Sequence, residues 1–187
     1  MNVNSRLALV LLLAGAHAAR AQSEMPAEPL VANQVIDAWV ANAETHLVPA
    51  ADAMPEDKYS FAPTNGEFKG VRTFAEQVKH LAANNYRMAA KILGEKPTAD
   101  QENETGPDSV RTKAEIMVYL KGSFAALHKA VGTVDAKNEV APIPGVSGSW
   151  QRARLGLAID AVAHSFDHYG QMVEYLRMNG IVPPDSR

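Results

Sequence analysis

Four stretches of the 187-residue chain repeat apolar residues at spacings of three and four, the pattern of amphipathic α-helices. They run from Leu30 to about Met54, from Val71 to Leu93, from Thr112 to Val131 and from about Trp150 to Asn179. Proline and glycine separate them, and no alternating run typical of a β-strand is longer than a few residues. Because four such helices can bury one another's apolar faces, the sequence predicts an all-α four-helix bundle, a single domain over residues 27–184.

Several residues predict how these helices begin and end. Thr112 and Glu115 fit a capping box at the start of the third helix, although Ser109 is an equally good cap. Pro49 predicts a kink or an early break in the first helix. Residues 95–108 are polar and contain two prolines and one glycine, so we expect a loop there.

The fourth helix carries two stripes of interest. Seven residues predict its main apolar side: Leu155, Ile159, Val162, Phe166, Tyr169, Val173 and Leu176. A second stripe, displaced from the first, carries His164 and His168. We therefore expect the two histidines to line a cleft at the edge of the core.

The first 21 residues have the features of a secretory signal peptide. A short region with one arginine precedes the apolar run Leu7–Ala14, and Ala19–Ala21 forms an A-x-A cleavage pattern. The apolar run is too short for the roughly 20 residues that a membrane-spanning helix needs. We expect cleavage after Ala21, export to the periplasm or the extracellular space, and no stable membrane anchor afterwards.

Composition excludes several classes of site and partner. The chain has no cysteine, so disulfides, thiolate metal sites and cysteine nucleophiles are all ruled out. The formal net charge of −3 argues against nucleic acid as a partner. We expect a small-molecule substrate, and a homodimer stays open because the pattern marks no pairing face.

The histidines are the residues best suited to bind a metal ion. His164 and His168 are four residues apart, so both imidazoles leave one face of the helix and can share a divalent ion such as zinc, nickel or iron. His80, in the middle of the second helix, is the best third ligand, whereas His46 and His128 lie near helix ends and are expected to be solvated.

Less specific interpretations of these histidines stay open. A pair of histidines four residues apart often arises by chance, and a histidine in the middle of a helix is often only partly buried beside a polar neighbour. A zincin motif is excluded because Ser165, rather than glutamate, follows His164. The inverted zincin motif is nearer, since Asp167 precedes His168, but aspartate is shorter than the glutamate of that motif.

Three segments strongly resemble DinB-like proteins. The run HSFDHYGQ from His164, continuing to Pro184, resembles the last helix of that family. DKYSFAP at residues 57–63 resembles its segment between the first two helices, and TFAEQVKHL at residues 73–81 resembles the start of its second helix. The three lie in the expected order. The resemblance implies a four-helix bundle in which His80, His164 and His168 bind a divalent metal.

The resemblance also implies a range of activities. Families of similar fold include thiol-dependent transferases that use bacillithiol or mycothiol, so a metal-dependent transferase or hydrolase of unknown substrate is expected. A non-catalytic metal-binding or stress-related protein is the alternative. Tyr169 stands where many relatives have arginine. Export would place the chain where low-molecular-weight thiols are scarce, which counts against a thiol transferase.

Several neighbours of the histidines could support the site. Asp160 and Asp167 either accept hydrogen bonds from the ligand imidazoles or are simply exposed, and the two interpretations are equally open. Gln171 is expected to bind a ligand or to join two helices. Gly170 is expected to permit close helix approach, or is merely a tolerated small residue. Three residues after the first helix either wall the pocket or belong to the core: Tyr59, Phe61 and Pro63.

Overall fold

The computed structural model describes residues 29–187, so the expected signal peptide at residues 1–21 lies outside them. This part of the chain forms five α-helices: α1 (Ala32–Ala53), α2 (Phe74–Leu93), α3 (Ala99–Glu102), α4 (Lys113–Val131) and α5 (Arg154–Met178). Single 3-10 turns follow α1, at Glu56–Lys58, and α5, at Pro184–Ser186. Residues 29–187 contain no strand, and the prediction of an all-α bundle is confirmed. None of the described helices is long and apolar enough to cross a membrane.

The four long helices pack around one core. The principal contacts join α2 to α4 and α5, and α1 to the same two helices. Consecutive long helices α1 and α2 therefore lie on one diagonal of the bundle, and α4 and α5 on the other. Long connections at residues 54–73 and 132–153 cross the bundle ends to link these diagonal pairs. His80, His164 and His168 lie at the seam between α2 and α5.

Local capping explains where two of these helices begin. The hydroxyl of Thr73 accepts from the Glu76 amide at 3.2 Å, and the Glu76 carboxylate accepts from the Thr73 amide at 2.8 Å. Thr112 and Glu115 form the same reciprocal pair, at 3.2 and 2.9 Å. The predicted capping box of α4 is thus confirmed, and Ser109 is not the cap.

Of the kink or break predicted at Pro49, the break is wrong, because α1 runs through Pro49 to Ala53. Proline removes one internal hydrogen bond, but groups outside α1 satisfy carbonyls at its end. The Tyr59 hydroxyl donates to the carbonyl of Ala51 at 2.7 Å, and the Lys113 ammonium donates to that of Met54 at 3.0 Å. Tertiary contacts therefore keep the last turn helical.

The expected loop at residues 95–108 contains the single-turn helix α3. Thr98 caps it by accepting from the Gln101 amide, and the Gln101 side chain accepts from the Thr98 amide at 2.8 Å. The T-x-x-Q spacing is a capping-box signal that sequence reasoning passed over. The remainder of the segment is irregular, and α3 packs against α2.

The predicted core stripe of α5 is only partly right. Of its seven residues, Val173 and Leu176 are buried, whereas Ile159 is 50% exposed. Three more are half-buried against the core: Val162, Phe166 and Tyr169. The buried face is instead the histidine stripe, with Leu157, Ala161, Ser165, His168, Met172 and Tyr175. The cause is the position of α5 between α1 and α2, which turns the predicted stripe toward the outer edge of α1. There Phe166 packs edge-on against Trp39, with ring centroids 6.2 Å apart.

Candidate metal centre

Helices α2 and α5 bring the three predicted histidines into one cluster. One ring nitrogen from each of His80, His164 and His168 lies within 4.8 Å of the other two. The Nε2 atoms of His80 and His164 are 3.2 Å apart. The ring centroids of His164 and His168 are 4.4 Å apart, and that of His80 is 5.1 and 4.9 Å from them. The cluster therefore combines a pair on one helix with a single histidine from its neighbour.

A side-chain contact one turn away joins the two helices. The Gln77 amide donates to the Gln171 side-chain carbonyl at 2.7 Å, and the Gln171 amide donates to Asp167 at 3.1 Å. Gln77 is buried, as are His80 and His168, whereas His164 is half-buried. Of the two roles expected for Gln171, the structure shows that of joining two helices.

The orientation of His80 is fixed by a backbone carbonyl. Its Nδ1 lies 2.6 Å from the main-chain oxygen of Glu104, in the segment between α3 and α4. A carbonyl can only accept, so Nδ1 carries the proton and Nε2 presents its lone pair toward His164. Sequence reasoning missed Glu104, because a main-chain acceptor carries no residue-type signal.

The predicted carboxylate partners are not in place. Among residues 29–187, neither Asp160 nor Asp167 hydrogen-bonds to a histidine of the cluster, and Asp167 instead accepts from Gln171. The orienting role is therefore wrong for both, and the exposed alternative holds for Asp167. Buried Nδ1 of His168 has no hydrogen-bond partner within the described part of the chain.

Burial keeps the three imidazoles neutral. Burial, followed by the neighbouring imidazoles, lowers the pKa of His164 to about 4 and that of His168 to about 3. The pKa of His80 is also lowered by burial, against the opposing effect of its hydrogen bond to Glu104. Neutral imidazole is the form that binds a metal ion.

One acidic and two basic side chains lie beside His80. The Glu104 carboxylate is 3.0 Å from the Arg87 guanidinium, 3.4 Å from that of Arg72 and 3.3 Å from His80 Nδ1. The hydrogen bond from Arg87 holds the pKa of Glu104 below its ordinary value. Further along the seam, burial raises the pKa of Asp160, which Arg87 and Lys91 oppose. Both acidic groups near the cluster thus have basic neighbours.

One pair of nitrogens in the cluster has the spacing that a shared ion requires. Imidazole nitrogens bind zinc at about 2.0–2.1 Å, so two on one ion lie at most about 4.2 Å apart. The 3.2 Å between the Nε2 atoms of His80 and His164 falls within this limit. The Nδ1 of His168 is a further buried nitrogen, without a protein partner among residues 29–187. A purely imidazole donor set suits zinc, nickel or iron.

Comparison with known families agrees with this site. The family model of the DinB superfamily matches residues 40–172. The chain belongs to the DinB superfamily. The matched range reaches from α1 into α5 and includes all three clustered histidines. A search of curated proteins found no match.

Two further histidines of residues 29–187 in this DinB-superfamily chain, His46 and His128, lie outside the cluster, yet neither is freely solvated as predicted. Both ring nitrogens of His128 face carboxylates, Asp37 at 2.5 Å and Glu44 at 3.4 Å. His46 is half-buried, with its Nδ1 2.7 Å from a backbone carbonyl and its ring edge-on to Phe166. Both histidines connect α1 to a neighbouring helix, which explains their partial burial.

The residues that were expected to wall the pocket belong to the core instead. Tyr59 is a core residue, and Phe61 packs edge-on against Tyr175 with ring centroids 5.7 Å apart. Pro63 is buried as well, so the core alternative holds for this segment. Gly170 is exposed, and no heavy atom of the described chain lies within 4 Å of where its Cβ would be. Its predicted role in close helix approach is therefore wrong.

Proposed function

We propose that this DinB-superfamily protein binds one divalent metal ion through His80, His164 and His168. The observation that carries the proposal is the convergence of three ring nitrogens within 4.8 Å at a mostly buried seam. Their lowered pKa values keep them in the metal-binding form at neutral pH. Zinc, nickel and iron are the ions that this donor set favours.

The activity we propose is a metal-dependent transferase or hydrolase that acts on a small molecule. Three protein ligands leave room for an exogenous one, which is typical of catalytic rather than structural sites. When bound, the ion would act as a Lewis acid that activates water or a thiol for attack. Asp160, one turn before His164, is the carboxylate best suited to accept a proton, because burial raises its pKa.

A non-catalytic metal-binding protein is the second candidate, and one observation favours it. The carboxylates nearest the cluster already have partners: Glu104 pairs with Arg72 and Arg87, and Asp167 with Gln171. Such pairing leaves these two groups poorly placed to move protons. In this interpretation the site would sense or store the ion, or stabilise the bundle.

Elemental analysis tests the metal proposal. The protein is purified without chelators or a metal-affinity tag, beside the variant H80A/H164A/H168A. We expect about one ion per chain in the wild type and none in the variant. The matched control is H46A/H128A, which removes two histidines outside the cluster and should retain the ion. A wild-type protein that binds no zinc, nickel or iron after incubation with each would refute the proposal.

Activity measurements separate the two candidate functions. Wild type, the triple-histidine variant and D160N are compared on a panel of thiol-transfer and hydrolysis substrates. An enzyme predicts activity that the triple variant loses and that D160N reduces while keeping its metal. Equal activity in all three would exclude a metal-dependent mechanism.

We also propose that the protein acts outside the cytoplasm. The support is the arrangement of the first 21 residues, in which a basic start, an apolar run and Ala19–Ala21 follow one another. A homodimer stays a prediction. The apolar side chains that α1 and α5 leave exposed, Trp39 and Ile159 among them, offer a surface for it.

A further inference from the structure

The turn from Asn103 to Gly106 is tightly organised by its own hydrogen bonds. The Asn103 side-chain oxygen accepts from the amide and the hydroxyl of Thr105 at 3.1 and 3.0 Å. Its side-chain amide donates to the Gly106 carbonyl at 2.7 Å, and the Gly106 amide donates to the Asn103 carbonyl at 2.9 Å. These bonds fix the backbone on both sides of Glu104.

Gly106 allows this turn to pack directly against α2. Its φ of +71° is favourable only for glycine, and a Cβ there would lie 2.9 Å from Lys79 Cβ and 3.1 Å from the Lys79 carbonyl. Lys79 immediately precedes His80. The close approach of the two backbones therefore places the Glu104 carbonyl 2.6 Å from His80 Nδ1.

The Glu104 side chain contributes less than its backbone. Arg72, just before α2, and Arg87, two turns beyond His80, bracket its carboxylate at 3.4 and 3.0 Å. That carboxylate is 59% exposed, however, and ion pairs in such settings contribute little. The main-chain hydrogen bond is the contact that determines the orientation of the imidazole.

We propose that the Asn103–Gly106 turn is a positioning element that holds His80 in the Nδ1–H tautomer, with Nε2 free to bind the ion. The inference deepens the proposed metal site and rests on it for its effect on binding. Outer hydrogen bonds of this kind change metal affinity about 10- to 100-fold when they are lost. Glu104 and Gly106 act through His80 and touch no substrate.

Gly106→Ala tests the role of the turn, with Gly94→Ala as its matched control. Both glycines have positive φ, +71° and +76°, but Gly94 has no atom of the described chain within 4 Å of its missing Cβ. The two variants therefore share the backbone strain, and only the first displaces the turn from α2. We expect G106A to lower zinc affinity at least about tenfold in competition with a chelator, and G94A to stay within about twofold of wild type.

The tautomer itself is measured in the metal-free protein. Ring ¹⁵N chemical shifts distinguish protonated from unprotonated imidazole nitrogens, and in wild type we expect Nδ1 of His80 to carry the proton. In G106A the proton should redistribute to Nε2, whereas G94A should match wild type. This readout would not move if the turn served only the stability of the bundle.

Asn103→Ala keeps the test decisive should G106A fail to fold. It removes the side-chain bonds of the turn without adding a Cβ against α2, and we expect the same direction of change in tautomer and affinity. Folded turn variants with the wild-type tautomer and affinity would overturn the inference. If the wild type binds no metal, the proposed function fails, while the ¹⁵N measurement still decides the role of the turn.

Discussion

Helix α5 contains two glycines, and the structure predicts opposite results for the same substitution at each. Gly170 is exposed in the helix interior, and no atom of the described chain lies within 4 Å of the place that a Cβ would take. Alanine is favoured over glycine inside a helix by about 0.8–1.0 kcal/mol. Gly170→Ala should therefore raise the free energy of unfolding by about 1 kcal/mol and the Tm by roughly 2–4 °C.

Gly156→Ala should have the opposite sign. A Cβ at this position would lie 1.9 Å from the Trp150 carbonyl oxygen and 2.8 Å from its carbon. These are backbone atoms, so the segment before α5 must shift rather than a flexible side chain. Overpacking of this kind costs about 1–3 kcal/mol, which exceeds the gain in helix propensity. We expect a net loss of stability and a lower Tm.

Urea unfolding of the metal-free proteins, followed by far-UV circular dichroism, measures both effects. Unchanged m-values would show that each substitution acts on stability rather than on the compactness of either state. Zinc affinity of G170A is the control, and it should equal that of wild type. A G170A variant no more stable than wild type, or a G156A variant equally stable, would refute this account of α5.

Two further predictions concern acid stability and processing. The pKa values of His164 and His168 are about 4 and about 3 in the folded state against 6.5 for an unperturbed imidazole, so below pH 6.5 the unfolded chain binds protons that the folded one does not. The free energy of unfolding of the metal-free protein should thus decrease as the pH is lowered below 6.5, and it should decrease less steeply in H164Q/H168Q. Thermal melts at a series of pH values measure this, and an equal dependence of Tm on pH in the two proteins would contradict the prediction. Export predicts that the protein from its native host begins near Gln22, and N-terminal sequencing that finds Met1 intact would exclude cleavage.

The sequence predicts local features of this fold well. Apolar spacing located the four long helices, and the Thr112–Glu115 capping box fixed the start of α4, because both depend on neighbours within one turn. The break expected at Pro49 failed for a non-local reason. The groups that satisfy the end of α1 come from Tyr59 and from Lys113, which is 59 residues from Met54.

In the candidate site, too, the local features could be predicted from the sequence and the non-local contacts could not. The spacing of His164 and His168 places them on one face of a helix. His80 was the best third ligand by its position in the second helix, and the resemblance to DinB-like proteins implied the same residue. The acceptor that orients His80 is the main-chain oxygen of Glu104, 24 residues away. Any residue type supplies such an oxygen, so only the path of the backbone reveals the contact.

The error in the core stripe of α5 has a physical cause that bears on function. Ranking by hydrophobicity selects the side with Ile159 and Phe166, whereas the bundle buries the side with His168. A buried polar atom without a partner costs about 1–3 kcal/mol, and the Nδ1 of His168, which has no partner among residues 29–187, is such an atom. Under the proposed function an ion compensates the cluster for this cost, because a ligand that binds only the folded state stabilises it. A helix selected for stability alone would have buried Ile159 rather than a histidine, so the burial of His168 favours a metal site over a purely structural bundle.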